Sequence, residues 1–488
     1  MEPNQERSLI PRPSHELTAP QIGGNRILGE MVEGSLALAR QTAPASVDLD
    51  ALVRKGKRIQ LHEGMTLEDI EAFQLFHQAA TGGHAEASYH VSDCYRNGYG
   101  VASNDAADLQ WLRKSAEAGF DVAQFELGRF YFGIRCYFLS PIGDDIPNDY
   151  KEAAKWYRKA AEQGHAASQG TLGELYAGGD GVPQSYEEAI KWFRLGADKG
   201  DRGAQHSLGC CYRDGLAVPR DYDKAIMWFI KSAEQGAFFA QRSLGSLYET
   251  GRGVEQSHAE AAKWFRKSAE QGDAFSQNRI GVFLLNGQGV PKDEAEAARW
   301  FRKSAERGDA WGQNRLGICY ENGEGVTRDY AEAVTWYRKA AEQGDVWAQN
   351  RLALFYRVGR GVPKDEVEAV KWSKKAAEQG NTEAQSILGG YYESLFEFDE
   401  ALKWYRKAAE QGNAEAQEFI GRCYHVGCSS DVEIDLRYAC AWYQLATDNG
   451  YERAAGKAQE IAKFLNPEEL QMARSLYREF KEKYSARQ

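Results

Sequence analysis

Excess positive charge and long apolar runs are both missing from this chain of 488 residues. Its 60 lysines and arginines are outnumbered by 71 aspartates and glutamates, which gives a formal net charge of −11. No net basic field is therefore available to recruit nucleic acid. No run reaches the roughly 18 apolar residues that a membrane-spanning helix needs, and the first residues lack the apolar stretch of a signal peptide. We expect neither nucleic acid nor a membrane as a partner, and a cytoplasmic location.

Paired cysteines and clusters of metal ligands are scarce as well. Four of the 8 cysteines directly precede the tyrosine of one recurring motif, where other copies have leucine or phenylalanine: Cys94, Cys211, Cys319 and Cys423. They are predicted to be buried, free thiols, which suits a reducing compartment. The only group that resembles a metal site is Cys423, His425, Cys428 and Cys440, and its spacing is not a common zinc pattern. We predict no metal and no cofactor.

Catalytic motifs are also missing. The 9 histidines share no position of the repeat described below. Glycine-rich segments such as GRGV, GQGV and GEGV stand between helical patterns and lack the strand and the lysine of a phosphate-binding loop. No catalytic residue and no enzymatic activity are predicted.

What the sequence has instead is a repeat of 36 residues. Tryptophan recurs at that spacing, and Trp111, Trp404 and Trp442 continue the series after one insertion and one deletion. The others of these framework tryptophans are Trp156, Trp192, Trp228, Trp264, Trp300, Trp336 and Trp372. A fixed period of this length is typical of a solenoid of stacked supersecondary units.

One unit, residues 309–344, shows what the repeat builds. Leu316 and Tyr320 fall on one face of a first helix, which Gly323 is expected to end. Trp336 and the alanines that follow it define the apolar face of a second helix. Two such helices cannot bury their apolar faces alone, so about ten pairs are expected to stack.

The recurring residues resemble a known family. The motif A-x-x-x-L-G-x-x-Y-x-x-G-x-G-V, followed by D-x-x-x-A-x-x-W-Y/F-x-x-A-A-E-x-G, is similar to the Sel-one-like repeat, a relative of the tetratricopeptide repeat. The resemblance covers roughly residues 84–450. It implies an all-α fold, a right-handed α/α superhelical solenoid of about ten two-helix repeats, and use as an adaptor or scaffold in protein complexes. A secreted branch of the family has paired cysteines in each repeat, and this chain is expected to differ from it.

Composition suggests the boundaries. Residues 1–66, with five of the 12 prolines, are expected to be a mostly flexible tail, with the basic run RKGKR as a solvated turn. Residues 67–83 are expected to form an N-terminal capping helix, 84–450 the solenoid, and 451–488 the C-terminal capping helices. The last of these should start at Pro467, with Asn466 as its N-cap. An expanded turn at 134–147 contains apolar residues of unknown role.

Four consecutive repeats, over residues 237–380, differ from the others on the first helix. Their third residue is aromatic, whereas it is Ala167, Glu383 or Glu415 in other repeats. Residues three and seven positions later share its face. The predicted partner-binding residues are Phe239, Arg242, Phe275, Asn278, Val282, Trp311, Asn314, Ile318, Trp347, Asn350 and Leu354. The resemblance implies that first helices line a concave groove. We predict that these aromatics and asparagines bind an extended peptide or a partner protein there.

Three alternatives stay open from sequence alone. The aromatics could pack against neighbouring helices and recur merely through duplication. The groove could bind a glycan or another small polar ligand, because aromatic platforms beside amides also suit sugars. The amphipathic segment 27–41 could occupy the groove and give self-association. Burial of Trp311 and Trp347 against the preceding repeat would rule out the binding hypothesis.

Overall fold

The computed structural model describes residues 48–59, 66–133, 149–428 and 430–485, which form 24 α-helices and no β-strand. Consecutive helices pair into repeats, so the predicted all-α fold of stacked helix pairs is confirmed. The chain divides into two compact units, Met1–Ser232 and Ala233–Gln488. The segment 27–41 and the turn at 134–147 lie outside the described residues.

The first unit contains ten helices among its described residues, the last of which runs into the second unit. They are α1 (Leu49–Lys57), α2 (Leu67–Thr81), α3 (Ala85–Asn97), α4 (Asp105–Glu117), α5 (Asp121–Tyr131), α6 (Tyr150–Glu162), α7 (Ala166–Gly178), α8 (Tyr186–Asp198), α9 (Arg202–Asp214) and α10 (Tyr222–Glu234). From α3 onward, odd numbers are the first helices of repeats and even numbers the second helices.

The second unit continues the same alternation. Its helices are α11 (Phe238–Thr250), α12 (His258–Glu270), α13 (Ala274–Asn286), α14 (Glu294–Glu306), α15 (Ala310–Asn322), α16 (Tyr330–Glu342), α17 (Val346–Val358), α18 (Glu366–Glu378), α19 (Thr382–Ser394), α20 (Phe398–Ala409), α21 (Ala414–Val426), α22 (Leu436–Asp448), α23 (Arg453–Ala462) and α24 (Pro467–Ser485).

Most repeat helices begin at a polar capping residue, and many first helices end at a glycine, as α15 and α16 illustrate. Asp309 caps α15 because its carboxylate accepts a hydrogen bond from the backbone N–H of Gly312 at 2.7 Å. Gly323 ends the helix with φ of 80°, a left-handed conformation that other residues resist. Asp329 then caps α16 in the same way.

The core of each repeat is built around the residue that follows the framework tryptophan, here called the ring position. Tyr157, Phe229, Phe265, Phe301, Tyr337 and Tyr443 occupy it and are among the largest fully buried side chains. Each ring lies on a glycine of the first helix. A Cβ atom on Gly317 would lie 2.6 Å from the Tyr337 ring, and one on Gly281 would lie 2.5 Å from the Phe301 ring. The glycine of the L-G motif is therefore needed for close helix packing.

The framework tryptophans join neighbouring repeats. Trp336 packs against the core cluster that contains Phe301 and Leu316, and Trp372 packs against the next cluster. In most repeats a lysine three residues later covers the ring, as Lys339 does at 4.0 Å from the centre of the Trp336 ring. The framework tryptophans are thus part of the architecture, as the sequence predicts.

A ladder of buried glutamines also joins the repeats. Gln313 in α15 donates to the carbonyl of Ala305 at the end of α14 and accepts from Gln343 at the end of α16. The same rung forms around Gln349. Where lysine or arginine replaces the last glutamine, the rung is incomplete: Arg307 donates to the carbonyl of Gly272 instead, and the Gln277 Oε1 atom has no partner.

Helices also cover both ends of the described chain. Residues 49–57, which lie in the segment expected to be a mostly flexible tail, form α1, and it packs on α2 with Val53 buried. The basic run has exposed side chains as expected, but most of it is helical and not a turn. At the other end α24 begins at Pro467, and Asn466 accepts from the backbone of Glu469 as predicted. Phe480 of this helix stacks on Trp442 at 4.6 Å.

The cysteines follow the prediction with one exception. Cys94, Cys211 and Cys319 are buried and free. Cys423 was expected to be a free thiol too, but it is bonded to Cys428, with Cα atoms 4.9 Å apart. Gly427 lets the chain turn back at the end of α21, which brings the two residues together. One repeat therefore does contain a cysteine pair, and in the part of the chain that the structure describes no group of His, Cys, Asp and Glu could hold a metal ion.

Candidate partner-binding surface

The four predicted aromatics lie on α11, α13, α15 and α17, all first helices of the second unit. Adjacent first helices such as α13 and α15 contact each other directly, so these side chains form one series, here called the aromatic row. Phe275 is 47% exposed, Trp311 39% and Trp347 68%. Phe239 is half-buried and its neighbour Phe238 is exposed, with ring centres 5.2 Å apart.

Two members of the row are held in place by neighbouring side chains. The Trp311 ring meets the Phe301 ring edge-on at 6.0 Å, and the Arg315 guanidinium lies 5.3 Å from its centre. Phe275 has equivalent contacts with Phe265 at 6.1 Å and with the Arg242 guanidinium at 5.8 Å. Each ring therefore rests one edge on the core and presents the rest to solvent.

The second predicted set lies deeper than expected. Asn278, Asn314 and Asn350 are buried rather than facing an open groove, and Asn278 and Asn350 bond to the next repeat. The Asn278 side-chain amide donates to Asp309 at 2.7 Å, and that of Asn350 donates to Glu383 at 2.6 Å. Their carbonyl oxygens, and that of Asn314, are buried and have no partner among the residues that the structure describes.

The reason for this correction is geometric. A side chain three positions after the aromatic points between two neighbouring first helices, toward the start of the next one. Arg242 shows the same direction, because it pairs with Asp273, the N-cap of α13, at 3.2 Å. Asn278, Asn350 and Arg242 therefore link neighbouring first helices.

The third predicted set consists of three aliphatic side chains on the same helices as the aromatic row. Val282, Ile318 and Leu354 are half-buried. Val282 and Ile318 pack against the core clusters of the second unit. This set offers a partly exposed aliphatic floor to the aromatic row.

Most charges on these helices are paired with each other. Arg279 pairs with Glu249, and Arg351 lies 3.9 Å from Glu321. Burial lowers the pKa of the Arg279 guanidinium. Burial and a hydrogen bond to Glu321 raise the pKa of Tyr337. The surface along the aromatic row therefore presents neutral rings, and most of the charged side chains on these helices are paired with each other.

Sequence reasoning missed a cleft that begins at α17, the helix that carries the last residue of the row. The cleft has a volume of about 500 Å³ and is lined by side chains of α17 to α21. A signal for it was readable, because Ser373 stands at the ring position, where nearly every other repeat has tyrosine or phenylalanine.

A comparison with known protein families matches the Sel1 repeat along residues 64–84, 85–120, 121–165, 166–201, 203–236, 239–273, 274–309, 312–345, 348–381, 382–413 and 414–451. The chain belongs to the Sel1 repeat family. Sel1 repeat proteins are generally scaffolds for protein–protein interaction and are typically non-enzymatic.

Solved structures of Sel1 repeat proteins cover most of this chain. A protective antigen of uropathogenic Escherichia coli strains with an SLR fold is 33% identical, over 85% of this chain and 95% of that one, with a TM-score of 0.58. A Sel1 repeat protein from Oxalobacter formigenes is 31% identical, over 72% of this chain and 95% of that one, with a TM-score of 0.49.

A curated relative matches over a much shorter stretch. A chitin synthase regulator of Saccharomyces cerevisiae is 33% identical over 66 residues, which is 14% of this chain and 10% of that protein. This Sel1 chain therefore spans about a tenth of the length of that regulator. None of the helices in the described ranges is long and apolar enough to cross a bilayer.

Proposed function

We propose that this Sel1 repeat protein is a non-enzymatic scaffold whose aromatic row binds an extended peptide segment of a partner protein. The observation that carries the proposal is the exposure of Phe275, Trp311 and Trp347 at the same position of three successive repeats. The buried core does not need these rings, because the ring positions already fill it with Phe265, Phe301 and Tyr337.

The spacing of the row suits an extended chain. Packed helices are about 8–10 Å apart, and an extended peptide advances about 3.3 Å per residue. Roughly every third residue of a bound peptide would therefore meet one ring. Rigid aromatic side chains are favoured at such positions, because they bury a large area and lose little side-chain entropy.

The buried asparagines weigh against the glycan alternative. Sugar recognition needs polar groups beside the aromatic platform, but the amide nitrogens of Asn278 and Asn350 are already bonded to Asp309 and Glu383. The remaining carbonyl oxygens are buried, on side chains that point between adjacent first helices. A peptide held mainly by its apolar side chains does not need them.

A selection experiment tests the proposal. Random dodecapeptides displayed on phage are selected on the full chain alone, and the affinity of the selected peptides for the double variant Trp311→Ala, Trp347→Ala is then measured. We expect selected peptides to bind the double variant at least about tenfold more weakly, as loss of interface anchors usually causes. Because Trp347 is largely exposed and Trp311 partly exposed, the melting temperature should fall only modestly.

The control variant removes two exposed apolar side chains that lie outside the aromatic row. Leu195→Ala, Val367→Ala is the matched variant, because Leu195 and Val367 are exposed on second helices. Peptides that bind the Trp311→Ala, Trp347→Ala variant as tightly as the unaltered chain would show that the row is not the binding surface. Glycan arrays and the oligomeric state of a chain lacking residues 1–47 test the two alternatives.

A further inference from the structure

The cleft beside the aromatic row has a local cause, which is a break in the repeat. Ser373 occupies the ring position of α18 and is fully buried. In the repeats on either side this position holds Tyr337 and Tyr405, both buried. The first helix that faces Ser373 has Ala353 in place of the usual glycine. One methyl group replaces part of the missing ring, and the remaining space opens into the cleft.

A second break removes the cover of the cleft. In the preceding repeat the loop between α17 and α18 has seven residues, 359–365, and its Gly361 packs on the backbone of Tyr330 at the start of α16. The connection between α19 and α20 has only three residues, 395–397. The equivalent loop, which would lie over the start of α18, is therefore missing. Glu366 at the start of α18 and Ser394 at the end of α19 line the cleft instead.

The turn that replaces this loop is unusual. Phe396 has φ of 62°, a left-handed conformation that bulky residues rarely adopt. Its side chain is 80% exposed, and that of Leu395 is also exposed. Two large apolar side chains therefore follow Ser394 directly, at the rim of the cleft.

The charged groups that line the cleft are mostly acidic. Three carboxylates, those of Glu366, Glu383 and Glu415, face one guanidinium, that of Arg357. Two of the carboxylates are held in position by hydrogen bonds: Asn350 donates to Glu383 at 2.6 Å, and Ser386 donates to Glu415 at 3.4 Å.

The carboxylates also act on Tyr405, which lines the cleft. Burial raises the pKa of Tyr405, and the carboxylates of Glu393 and Glu415 raise it further. The tyrosine therefore stays protonated and neutral beside the carboxylates.

The floor of the cleft offers an unused polar group. The Ser373 hydroxyl is buried and has no hydrogen-bond partner within the described residues. An unpaired buried hydroxyl costs free energy that a hydrogen-bonding ligand would recover. It is independent of Glu383 and Glu415, because it lies on the second helix α18, at a position that in nearly every other repeat is an aromatic ring.

From these observations we infer that the cleft binds an ammonium or guanidinium group. The carboxylates of Glu383 and Glu415 accept from this cation at the mouth, and Ser373 offers its hydroxyl oxygen at the floor. The assignment of this cation to a lysine or arginine side chain of the bound peptide rests on the proposed function. Asn350 supports that assignment, because it lies on the same helix as Trp347 and bonds to Glu383 at the cleft.

Calorimetric titration of the full chain at low ionic strength tests this inference. The probes are the acetylated pentapeptide amide Gly-Gly-Arg-Gly-Gly, the same peptide with neutral citrulline in place of arginine, and free arginine amide. We expect the arginine pentapeptide to bind and the citrulline pentapeptide to bind at least about tenfold more weakly, as is usual when a charged hydrogen-bond partner is removed. Tighter binding of the arginine pentapeptide than of arginine amide identifies the source as a peptide side chain, and equal binding identifies it as a free cation.

Two variants locate the binding in the cleft. Glu383→Gln, Glu415→Gln removes the charge and preserves the shape, and it should weaken arginine binding by about tenfold. The matched control is Glu342→Gln, Glu378→Gln, which changes two exposed carboxylates at the ends of α16 and α18. Equal binding of the arginine and citrulline pentapeptides, or unchanged binding to the Glu383→Gln, Glu415→Gln variant, overturns the inference.

A third variant restores the usual repeat and fills the cleft. Ser373→Tyr combined with Ala353→Gly recreates the ring on glycine of the neighbouring repeats, so it should fold and abolish arginine binding. Retained arginine binding by this folded variant also overturns the inference. The Trp311→Ala, Trp347→Ala variant tests the proposed function separately with the dodecapeptides. Failure of that function leaves the arginine titration as an independent test of the cleft.

Discussion

At the scale of single residues, each buried ring depends on the glycine beneath it. An alanine at Gly317 would bring its Cβ to 2.6 Å from the Tyr337 ring, and no flexible end of a side chain can move aside. The same substitution is already present as Ala353, opposite Ser373, where there is no ring. The size of the ring position and the size of the residue beneath it are therefore linked.

We predict that Gly317→Ala destabilises the second unit by about 1–3 kcal/mol, because it overpacks the contact with Tyr337. The control is Gly456→Ala, in α23, where an added Cβ meets no atom within 4 Å. That change should stabilise by about 0.5–1 kcal/mol through the higher helix propensity of alanine. Urea unfolding of both variants measures the difference, and equal shifts would contradict the packing argument.

The buried thiols have a chemical consequence. Burial raises the pKa of Cys94 to about 12, that of Cys211 to about 11 and that of Cys319 to about 12. The reactive thiolate is therefore almost absent at neutral pH.

We predict that these three cysteines resist iodoacetamide at pH 8 in the native chain and react readily in urea. Peptide mapping by mass spectrometry gives the extent of alkylation at each residue. Rapid native alkylation of Cys319 would mean that its repeat opens often or that the thiol is not buried.

At the scale of elements, α3 carries a buried histidine. The His90 ring stacks on Phe76 of α2 at 4.6 Å, and its Nε2 atom has no hydrogen-bond partner in the described part of the chain. Burial, followed by the charge of Lys57, lowers the pKa of His90 from 6.5 to about 4. The folded state therefore favours the neutral form of the His90 ring over the charged form.

This arrangement predicts an acid-sensitive N-terminal end. As the pH falls from about 6.5 to about 4, His90 binds a proton in the unfolded state but not in the folded state. The free energy of unfolding therefore decreases through this window. Hydrogen exchange of α2 and α3, corrected for intrinsic rates, should show falling protection. The variant His90→Phe keeps a ring on Phe76 and should flatten this dependence. An unchanged pH profile in the variant would assign the effect to other groups.

The prediction of elements from sequence succeeds where local chemistry decides and fails where distant contacts decide. Aspartate caps, glycine ends and the 3.6-residue period identify a helix such as α15. Helix α1 was missed because it is short, ends in a basic run and contains Gly56. Its stability comes from Phe76 of α2, since a Cβ on Gly56 would lie 2.6 Å from that ring. No local signal reports such a contact.

At the scale of the whole molecule, the period of 36 residues was enough to predict the repeats, because each repeat contacts mainly its neighbours. The candidate surface was only partly predictable. Alignment of repeats shows that Trp347 is extra, and exposure agrees with that interpretation. The alignment does not show whether the Asn350 side chain points to solvent or to the next helix. That depends on the angle between adjacent first helices, which the sequence does not state.

Stacked repeats need a closed end, and α24 provides it here. We predict that Phe480→Asp detaches this helix, because a charge would be placed against Trp442 and Phe480 is nearly buried. Protection of α22 against hydrogen exchange should fall, and the chain should aggregate at lower temperature. Ser475→Asp on the exposed face of the same helix is the control. Similar behaviour of the two variants would show that α24 does not protect the end of the stack.

The glutamine hydrogen bonds between repeats would allow the number of repeats in this protein to change. Gln313 and Gln349 make the same bonds to the helices before and after them. Insertion of one more unit at that point leaves every existing joint satisfied and adds one aromatic side chain to the surface. Under the proposed peptide binding, duplication of a segment would lengthen the bound stretch by about three residues at a time, without redesign of either end.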